Sequence, residues 1–362
     1  MGEIVWISGR EIGADLAGTT EVSICEALGQ SGANCHLISP GSITSADFKH
    51  SPVKKLNFPG LNTISGANGV RRLMSREGTL NFEAMLVDWR YVYSLRRELM
   101  QLKGPWFIID RGPPAYSGIL SRLQKIYWKR AWKVAEDFAN GGLVVSDEHE
   151  RFVTERLNID MEIRIVPAGC HSNQHLREKE DPEKKLLLAY TGRLDRKRGT
   201  EKIINLADLL NEMEIPNRIY IAGEGNMHRE MKKHSARREN IEYLGKLSSG
   251  ETQSLLARCH IGIMPMPDMP IWRIASPLKL SEYLAAGLAI IGPSHQGNRL
   301  RGDEVWDLLS KEMDWPLQSI DKITKEYFGR TQQIIDSSIE SSEKVSWKNI
   351  GIKLIKDLND LI

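Results

Sequence analysis

Short apolar stretches alternate with amphipathic helix patterns along almost the whole chain. In the first half, the candidate strands are residues 4–8, 35–39, 84–89, 106–110, 142–146 and 163–167. Helix patterns between them cover residues 20–30, 91–102 and 118–140. Because strands and helices alternate, the sequence predicts parallel sheets covered by helices on both faces.

The alternation restarts after a polar stretch at residues 171–185, which is the best candidate for a linker. The later candidate strands are residues 186–192, 218–223, 241–245, 261–265 and 288–292. We therefore predict an α/β chain with two Rossmann-like, doubly wound domains, at residues 1–172 and 173–344. Residues 345–362 form an amphipathic helix pattern, with Ile350, Leu354 and Leu358 four residues apart.

Composition narrows the class of protein without identifying a function. The 362 residues exceed what one hydrophobic core usually supports. A net charge of +2, from 49 basic and 47 acidic residues, argues against a nucleic-acid partner. The four cysteines are far apart, no stretch resembles a signal peptide, and no apolar run is long enough to span a bilayer. We therefore expect a cytoplasmic protein with reduced thiols.

The segment SPLKLSEYLAAG, residues 276–287, has the pattern of a nucleotide site. Ser276 is predicted to cap a helix, with Pro277 at its first position. Lys279 and Glu282 then share one helix face. The free N–H groups of the helix start, of which Leu278 carries one, and the lysine suit a phosphate, while the carboxylate suits ribose hydroxyls.

The segment YTGRLDRKRG places Arg193 directly after a strand and Arg198 before a helix. Open α/β sheets bind ligands at this carboxyl edge, and two guanidiniums there could neutralise a diphosphate. Residues 196–198 are consecutive cations, however, and for the triplet alone a solvated basic loop is the favoured explanation.

Glycines at two further strand ends are weaker signals. Gly223 and Gly225 form a Gly-x-Gly turn, and Gly18 lies between the first strand and the first helix. Each could allow close approach of a phosphate, but tight strand-to-helix turns also use glycine. The dinucleotide pattern GxGxxG is missing from the first loop, which argues against an NAD enzyme.

The helix pattern at residues 124–138 has Lys125, Lys129 and Lys133 on one face. The indoles of Trp128 and Trp132 flank these lysines, so the face could lie on an anionic membrane. A solvated lysine face with both tryptophans packed on neighbouring elements is the alternative. No metal-ligand pattern or nucleophile motif is found, so we expect no metal or cofactor.

A family resemblance rests on four segments taken in order: GRLDRKRG, IAGEG, IEYLGKLSSGETQSLLARCHIGIMPM and SPLKLSEYLAAGLAIIG. Together they resemble the donor half of retaining glycosyltransferases of the GT-B fold, a family that includes mannosyl- and glucosyltransferases. The resemblance implies two Rossmann-like domains facing a cleft, with the helix at residues 345–362 packing back on the first. It also implies a metal-independent hexosyltransferase that uses a UDP or GDP sugar.

The resemblance assigns roles by position. Arg193 and Arg198 match the basic pair at the donor diphosphate, and Glu282 matches the ribose glutamate. The helix start from Ser276 matches the segment whose backbone meets the phosphates, and Gly18 matches the glycine loop.

Two departures concern the sugar and the acceptor. Ile274 replaces a glutamate that holds donor-sugar hydroxyls in many members. An N-domain histidine of many members is also missing, and the matching segments read VDWR and IIDRG. Asp110 and Arg111 are the preferred acceptor-binding candidates, ahead of Asp88 and Arg90. A salt-bridged strand end explains either pair without a ligand.

We therefore expect retaining transfer of a sugar from a nucleoside diphosphate to a hydroxyl acceptor. The acceptor could be a lipid-linked or polysaccharide glycan at the inner face of the membrane. Two alternatives stay open: a non-catalytic nucleotide-sugar-binding subunit, and a nucleotide-sugar 2-epimerase of the same architecture.

Overall fold

The computed structural model describes residues 2–13, 18–56, 62–76, 82–114, 119–173, 179–300, 304–311 and 314–362. The chain divides into two compact units. The first unit is Met1–Pro167 together with Trp347–Ile362, and the second is Ala168–Ser346. The polar stretch predicted as a linker lies partly outside the described residues.

Strands and helices alternate within each unit, as the apolar pattern predicts. In chain order, the strands of the described residues are β1 (Glu3–Ile7), β2 (Asn34–Ser39), β3 (Lys49–Pro52), β4 (Ala84–Asp88), β5 (Trp106–Ile109), β6 (Gly141–Val144), β7 (Ile163–Ile165), β8 (Leu186–Thr191), β9 (Asn217–Ala222), β10 (Ile241–Gly245), β11 (Ile261–Ile263) and β12 (Ala289–Ile291). The helices are α1 (Thr19–Gln30), α2 (Asn62–Arg76), α3 (Trp89–Val92), α4 (Arg96–Leu99), α5 (Ile119–Phe138), α6 (Asp147–Leu157), α7 (Lys202–Glu212), α8 (His228–Ser235), α9 (Ser249–Arg258), α10 (Pro270–Arg273), α11 (Leu278–Ala285), α12 (Trp315–Lys322), α13 (Thr331–Lys344) and α14 (Trp347–Leu361).

The first unit is built on a parallel sheet with the strand order β3-β2-β1-β4-β5-β6-β7. Its central strands β4 and β5 are buried along their whole length, as expected where helices cover both faces. The order reverses between β1 and β4, and such a switch point is where open α/β sheets bind ligands.

The second unit has a parallel sheet with the order β10-β9-β8-β11-β12. Strand β8 (LLLAYT) is entirely buried in the centre of the core. Here the switch point falls between β8 and β11, so the carboxyl ends of these two strands mark the expected ligand edge.

The last helix, α14, belongs to the first unit and packs against α1. Ile350, Leu354 and Leu358 are buried, which is the face that the four-residue spacing predicts. A side chain at Gly351 would meet Ala27 of α1 at about 3.0 Å, so the two helices approach closely where both residues are small.

Two features of the first unit differ from the sequence prediction. The single helix expected at residues 91–102 is instead two short helices, α3 and α4. Asp88 caps α3 by accepting a hydrogen bond from Arg90 N, and the chain turns before α4 begins. Strand β3 has the polar sequence KHSP and lies at the sheet edge, so it lacks the apolar pattern of an internal strand.

Candidate functional site

The carboxyl edge of the second sheet combines a tight backbone with buried charge. After β8 the chain turns at Gly192, whose φ of +134° is unfavourable for other residues. Gly223, after β9, has a φ of +135°, and a Cβ there would lie 1.8 Å from the Gly192 carbonyl oxygen. The two strand ends therefore pack backbone against backbone, which leaves this edge open to side chains from α11.

Helix α11 is positioned by three hydroxyl groups. The Tyr283 hydroxyl accepts a hydrogen bond from Thr191 N at 2.8 Å, which ties the helix to the end of β8. On the other side, Ser281 donates to the Ala168 carbonyl at 3.0 Å, and the Ser276 hydroxyl accepts from Ala168 N at 2.9 Å. These bonds fix the rotation of α11, and hence the direction of Lys279 and Glu282.

The start of α11 differs from the predicted start. Pro277 is the N-cap and Leu278 is the first helical residue, whereas Ser276 was predicted as the cap. Ser276 does not cap the helix because its hydroxyl accepts from Ala168 N instead. Since no side chain caps α11, the N–H groups of its first turn have no side-chain acceptor.

Lys279 is buried, and none of the described residues forms a hydrogen bond with its amino group. Its Nζ lies 4.3 Å from the centre of the Tyr190 ring, and a Cβ at Gly192 would be 3.4 Å from it. Burial, and secondarily the nearby Arg198, lower the pKa of Lys279 to about 7, although Glu282 opposes the shift. A buried, unpaired ammonium is costly, and such groups occur mainly where a ligand supplies the counter-charge.

Glu282 lies one turn further along the same face of α11. Within the described residues its carboxylate makes no hydrogen bond or ion pair. Burial raises the pKa of this carboxyl, and Lys279 offsets only part of the increase. A buried cation and a half-buried carboxylate, each without a hydrogen-bonded partner among the described residues, therefore share the helix face at the ligand edge.

Arg198 is close enough to Lys279 to lower its pKa, and it shares one carboxylate, that of Asp195, with Arg193. Arg193 is exposed, and its Nε donates to Asp195 at 3.0 Å. The Arg198 Nε is 4.0 Å from the same Asp195 oxygen, and its guanidinium lies 4.9 Å from the centre of the Trp272 ring. By contrast, Arg196 of the basic triplet pairs with Glu230 on the surface. Within the triplet, Arg198 therefore lies at the site, whereas Arg196 lies on the exposed surface.

The glycines predicted at the donor are explained by close packing. A Cβ at Gly225 would lie 2.4 Å from the Leu194 carbonyl oxygen, and one at Gly18 would lie 2.6 Å from Ile12 Cδ1. With Gly223, these are the tight turns named as the alternative. The loop before Gly18 falls partly outside the described residues.

Asp110 of the first unit is a structural residue rather than an exposed acceptor ligand. It is fully buried, and its Oδ2 accepts from the indole N–H groups of Trp128 at 2.5 Å and Trp132 at 3.0 Å. Burial alone would raise the pKa of Asp110, but His149 at 3.5 Å and both indoles hold it at about 2. A carboxylate that is inaccessible and fully hydrogen-bonded cannot also bind a substrate hydroxyl. The predicted role of Asp110 is therefore corrected.

Arg111 follows Asp110 and is half-buried at the carboxyl end of β5. Its Nη1 donates to the Val166 carbonyl oxygen. Asp88 and Arg90, the second candidate pair, form an ion pair of 2.8 Å, which matches the salt-bridged strand end considered above.

Helix α5 buries both of its tryptophans, as in the alternative in which they pack on neighbouring elements. Trp128 and Trp132 are buried with Ala131 and Ala135. Leu123 and Phe138 of the same helix are 58% and 44% exposed. Asp110 on β5 explains this orientation, because both indole N–H groups donate to its buried carboxylate. Lys125, Lys129 and Lys133 are exposed.

Sequence reasoning missed three residues of this site: Tyr190, Gly192 and Trp272. The Lys279 amine lies over the ring of Tyr190, and the chain turns at Gly192 beside that amine. The Arg198 guanidinium lies over the ring of Trp272. The aromatic residue two positions before the strand-end glycine was the available signal for Tyr190. Trp272 lies some 70 residues from Arg198 in sequence, so no local pattern joins them.

Among the described residues, no group of three or more His, Cys, Asp or Glu side chains could hold a metal ion. In the same part of the chain, no helix has both the length and the apolar composition needed to span a membrane.

Comparison with known families gives a match to the second unit. Residues 172–300 match the family described as glycosyl transferases group 1. This range contains β8 to β12, the basic pair and α11. A search of curated protein sequences gives no match.

Solved structures resemble the whole chain at low sequence identity. Sucrose-phosphate synthase (tll1590) from Thermosynechococcus elongatus superposes with a TM-score of 0.78 at 13% identity, covering 100% of this chain and 99% of its own. WaaG, a glycosyltransferase involved in lipopolysaccharide biosynthesis, gives 0.71 at 11% identity, covering 98% and 99%. Anabaena Alr3699/HepE, in complex with UDP-glucose, gives 0.67 at 12% identity, covering 99% and 100%.

The likeness to these structures concerns the fold, and the family match concerns the unit that holds the buried charge pair. The chain therefore has the GT-B fold, and its residues 172–300 match the family of group 1 glycosyl transferases.

Proposed function

We propose that this protein is a retaining hexosyltransferase, which moves a sugar from a UDP or GDP sugar to a hydroxyl acceptor. The observation that carries the proposal is the unpartnered pair on α11. At the switch point of the second sheet the Lys279 amine is buried, and the Glu282 carboxylate is half-buried with its pKa raised by burial. A ligand that brings a diphosphate to the amine and ribose hydroxyls to the carboxylate satisfies both.

The donor diphosphate would be bound by Lys279, Arg198 and Arg193 together with the first turn of α11. That turn supplies N–H groups that no side chain caps, and the helix dipole adds to their attraction for an anion. Asp195 now neutralises part of the charge on both arginines, so these guanidiniums would turn toward the diphosphate when it binds.

In the transfer step, the bond from the anomeric carbon to the diphosphate oxygen breaks and a bond to the acceptor oxygen forms on the same face. The departing diphosphate would take the proton of the acceptor hydroxyl. Lys279 and the two arginines stabilise the negative charge that grows on the leaving oxygen. This scheme requires no protein nucleophile, and the donor is a co-substrate rather than a bound cofactor.

The test is turnover of UDP and GDP hexoses by the purified chain, with and without hydroxyl acceptors. We expect one donor to release its nucleoside diphosphate, slowly to water and faster to an acceptor, with the anomeric configuration retained by NMR. Tight donor binding without any release would instead indicate a non-catalytic nucleotide-sugar-binding subunit. Conversion of the sugar at C2 would indicate the epimerase.

We also propose that α5 binds the surface of an anionic membrane, where a lipid-linked acceptor would be found. The support is the exposed half of α5. Lys125 and Lys129 are exposed beside Leu123 and Ile126, whose side chains are 58% and 48% accessible. Lys133 differs, because it pairs with Glu136 at 2.6 Å. Cations with adjacent apolar side chains are typical of interfacial helices.

Replacing Lys125 and Lys129 by glutamine should weaken binding to phosphatidylserine vesicles by about 1 kcal/mol per lysine, or roughly fivefold each. Lys133→Gln is the matched control and should have a smaller effect, since its charge is already partly neutralised. Cosedimentation with phosphatidylserine and phosphatidylcholine vesicles measures this. Equal binding of the wild type to both lipids would contradict the proposal.

A further inference from the structure

The first unit has its own charged cluster at the switch point of its sheet. Arg10 follows β1, Asp88 and Arg90 follow β4, and Arg111 follows β5. Glu21 reaches the same edge from the first turn of α1. Three guanidiniums and two carboxylates therefore meet where a doubly wound sheet binds its ligand.

Two of the arginines have carboxylate partners. Arg90 donates to both oxygens of Asp88, at 3.0 and 2.8 Å, and Gly9 N donates to the same carboxylate at 3.3 Å. Arg10 Nε is 3.1 Å from Glu21 Oε1. Asp88 and Glu21 therefore each already have one arginine partner.

Arg111 is the exception. Its hydrogen bond goes to the Val166 carbonyl oxygen, and in the described ranges no carboxylate lies within ion-pair distance of it. The adjacent Asp110 accepts from two indoles and from Gly112 N. Arg111 is thus a half-buried cation without a matching anion.

Without a bound ligand, the environment of Arg111 makes its ionised form unfavourable. Burial, and then repulsion from Arg10, lower the pKa of Arg111 to about 10 despite attraction to Glu21 and Asp110. Glu21 is almost completely buried, its Oε2 has no partner among the described residues, and burial raises its pKa. Since Glu21 disfavours its charged form and Asp110 is hydrogen-bonded to two indoles, neither is a good counter-ion for Arg111.

We propose that Arg111 and Arg10 bind an anionic group, a phosphate or a carboxylate, on the sugar acceptor. The planar guanidinium fork matches both groups through paired N–H donors. This inference rests on the proposed function, because it names the class of acceptor that the transferase would use. Glu21 then acts as a local competitor for the same two cations.

The experiment measures binding of inorganic phosphate, glucose 6-phosphate, glucose and UDP to the full chain by calorimetry and thermal shift. We expect glucose 6-phosphate to bind and glucose to bind far more weakly. Arg111→Gln should reduce phosphate affinity about tenfold or more, since it removes a charge-assisted contact. Arg111→Lys should keep part of that affinity, because it retains the charge but loses the fork.

Glu21→Gln gives a result of opposite sign. It removes the competing negative charge, which lies 3.1 Å from Arg10 Nε, so phosphate affinity should increase severalfold. Arg72→Gln, an exposed position on α2, is the charge-matched control and should change nothing. Weaker phosphate binding by Glu21→Gln, or unchanged binding by Arg111→Gln, would overturn the inference.

UDP separates this site from the donor site. Arg111→Gln should leave UDP affinity within about twofold, and saturating UDP should leave phosphate binding detectable. If UDP displaces all bound phosphate and the Lys279→Met variant no longer binds phosphate, the phosphate occupies the donor site and the inference fails. Failure of the proposed function has a different signature, the lack of donor turnover by a wild-type chain that still binds phosphate through Arg111.

Discussion

Replacing Lys279 by methionine is expected to lower the affinity for UDP or GDP, whichever binds, by roughly tenfold to a hundredfold. The variant removes a desolvated cation from the diphosphate, and hydrogen bonds to charged groups contribute about 1.5–3 kcal/mol. Without ligand, the variant should be at least as stable as the wild type, because the buried amine has no hydrogen-bond partner to lose. Calorimetry and thermal unfolding measure both effects.

The pH dependence of binding gives Lys279 a separate signature. In the free protein its pKa is about 7, so near pH 8 most molecules carry the neutral amine. A bound diphosphate favours the ammonium and raises that pKa, so binding takes up a proton. Affinity should therefore be level below pH 7, as far as this lysine determines it, and should decrease as pH rises above 7.

Proton uptake is measured at pH 8 by titrating the nucleotide in two buffers with different ionisation enthalpies. The nucleotide is fully ionised there, because its last phosphate pKa is about 6, and so it does not supply the signal. Lys279→Met should abolish the uptake, whereas Lys232→Met, an exposed site on α8, should preserve it. Uptake that persists in Lys279→Met would remove this lysine from the diphosphate site.

Glu282→Ala is expected to weaken nucleotide binding by about 2–5 kcal/mol, which corresponds to roughly thirtyfold or more. The reason is that two ribose hydroxyls would lose their acceptor in a desolvated site. The free variant should unfold at the same temperature or higher, since burial raises the pKa of this carboxyl and its ionised form is unfavourable. A lower unfolding temperature would indicate a structural role instead.

A double-mutant comparison locates the contact on the ribose. Wild-type protein should prefer UDP over its 2′,3′-dideoxy analogue, and Glu282→Ala should bind both equally. Glu212→Ala, an exposed position at the end of α7, is the control and should keep the preference. A preference of normal size in Glu282→Ala would place the ribose elsewhere.

The apolar pattern was sufficient to predict most of the sheet strands, because parallel strands buried on both faces are continuous apolar runs. Strand β8 is such a run, and its end therefore placed Arg193 at the ligand edge. Strand β3 and helix α2 escaped prediction. The first is a polar edge strand, and the second is polar on average and contains Gly66 and Gly69, which are poor helix formers.

The candidate site was only partly predictable. Lys279 and Glu282 share a helix face by their spacing alone, so their proximity followed from the sequence. That neither has a hydrogen-bond partner did not follow, because partners come from distant segments. The same holds for Ser276, whose hydroxyl is bound by Ala168 N, more than a hundred residues earlier.

The sequence by itself determined the alternation of strands and helices, the two Rossmann-like halves and the segments that end at ligand edges, since these depend on local periodicity. The tertiary structure alone decided which charges are satisfied. Asp110 is bound by the indoles of Trp128 and Trp132, whereas Arg111 beside it has no counter-ion among the described residues. Hydrogen bonding and desolvation depend on neighbours in space, and a linear pattern does not record them.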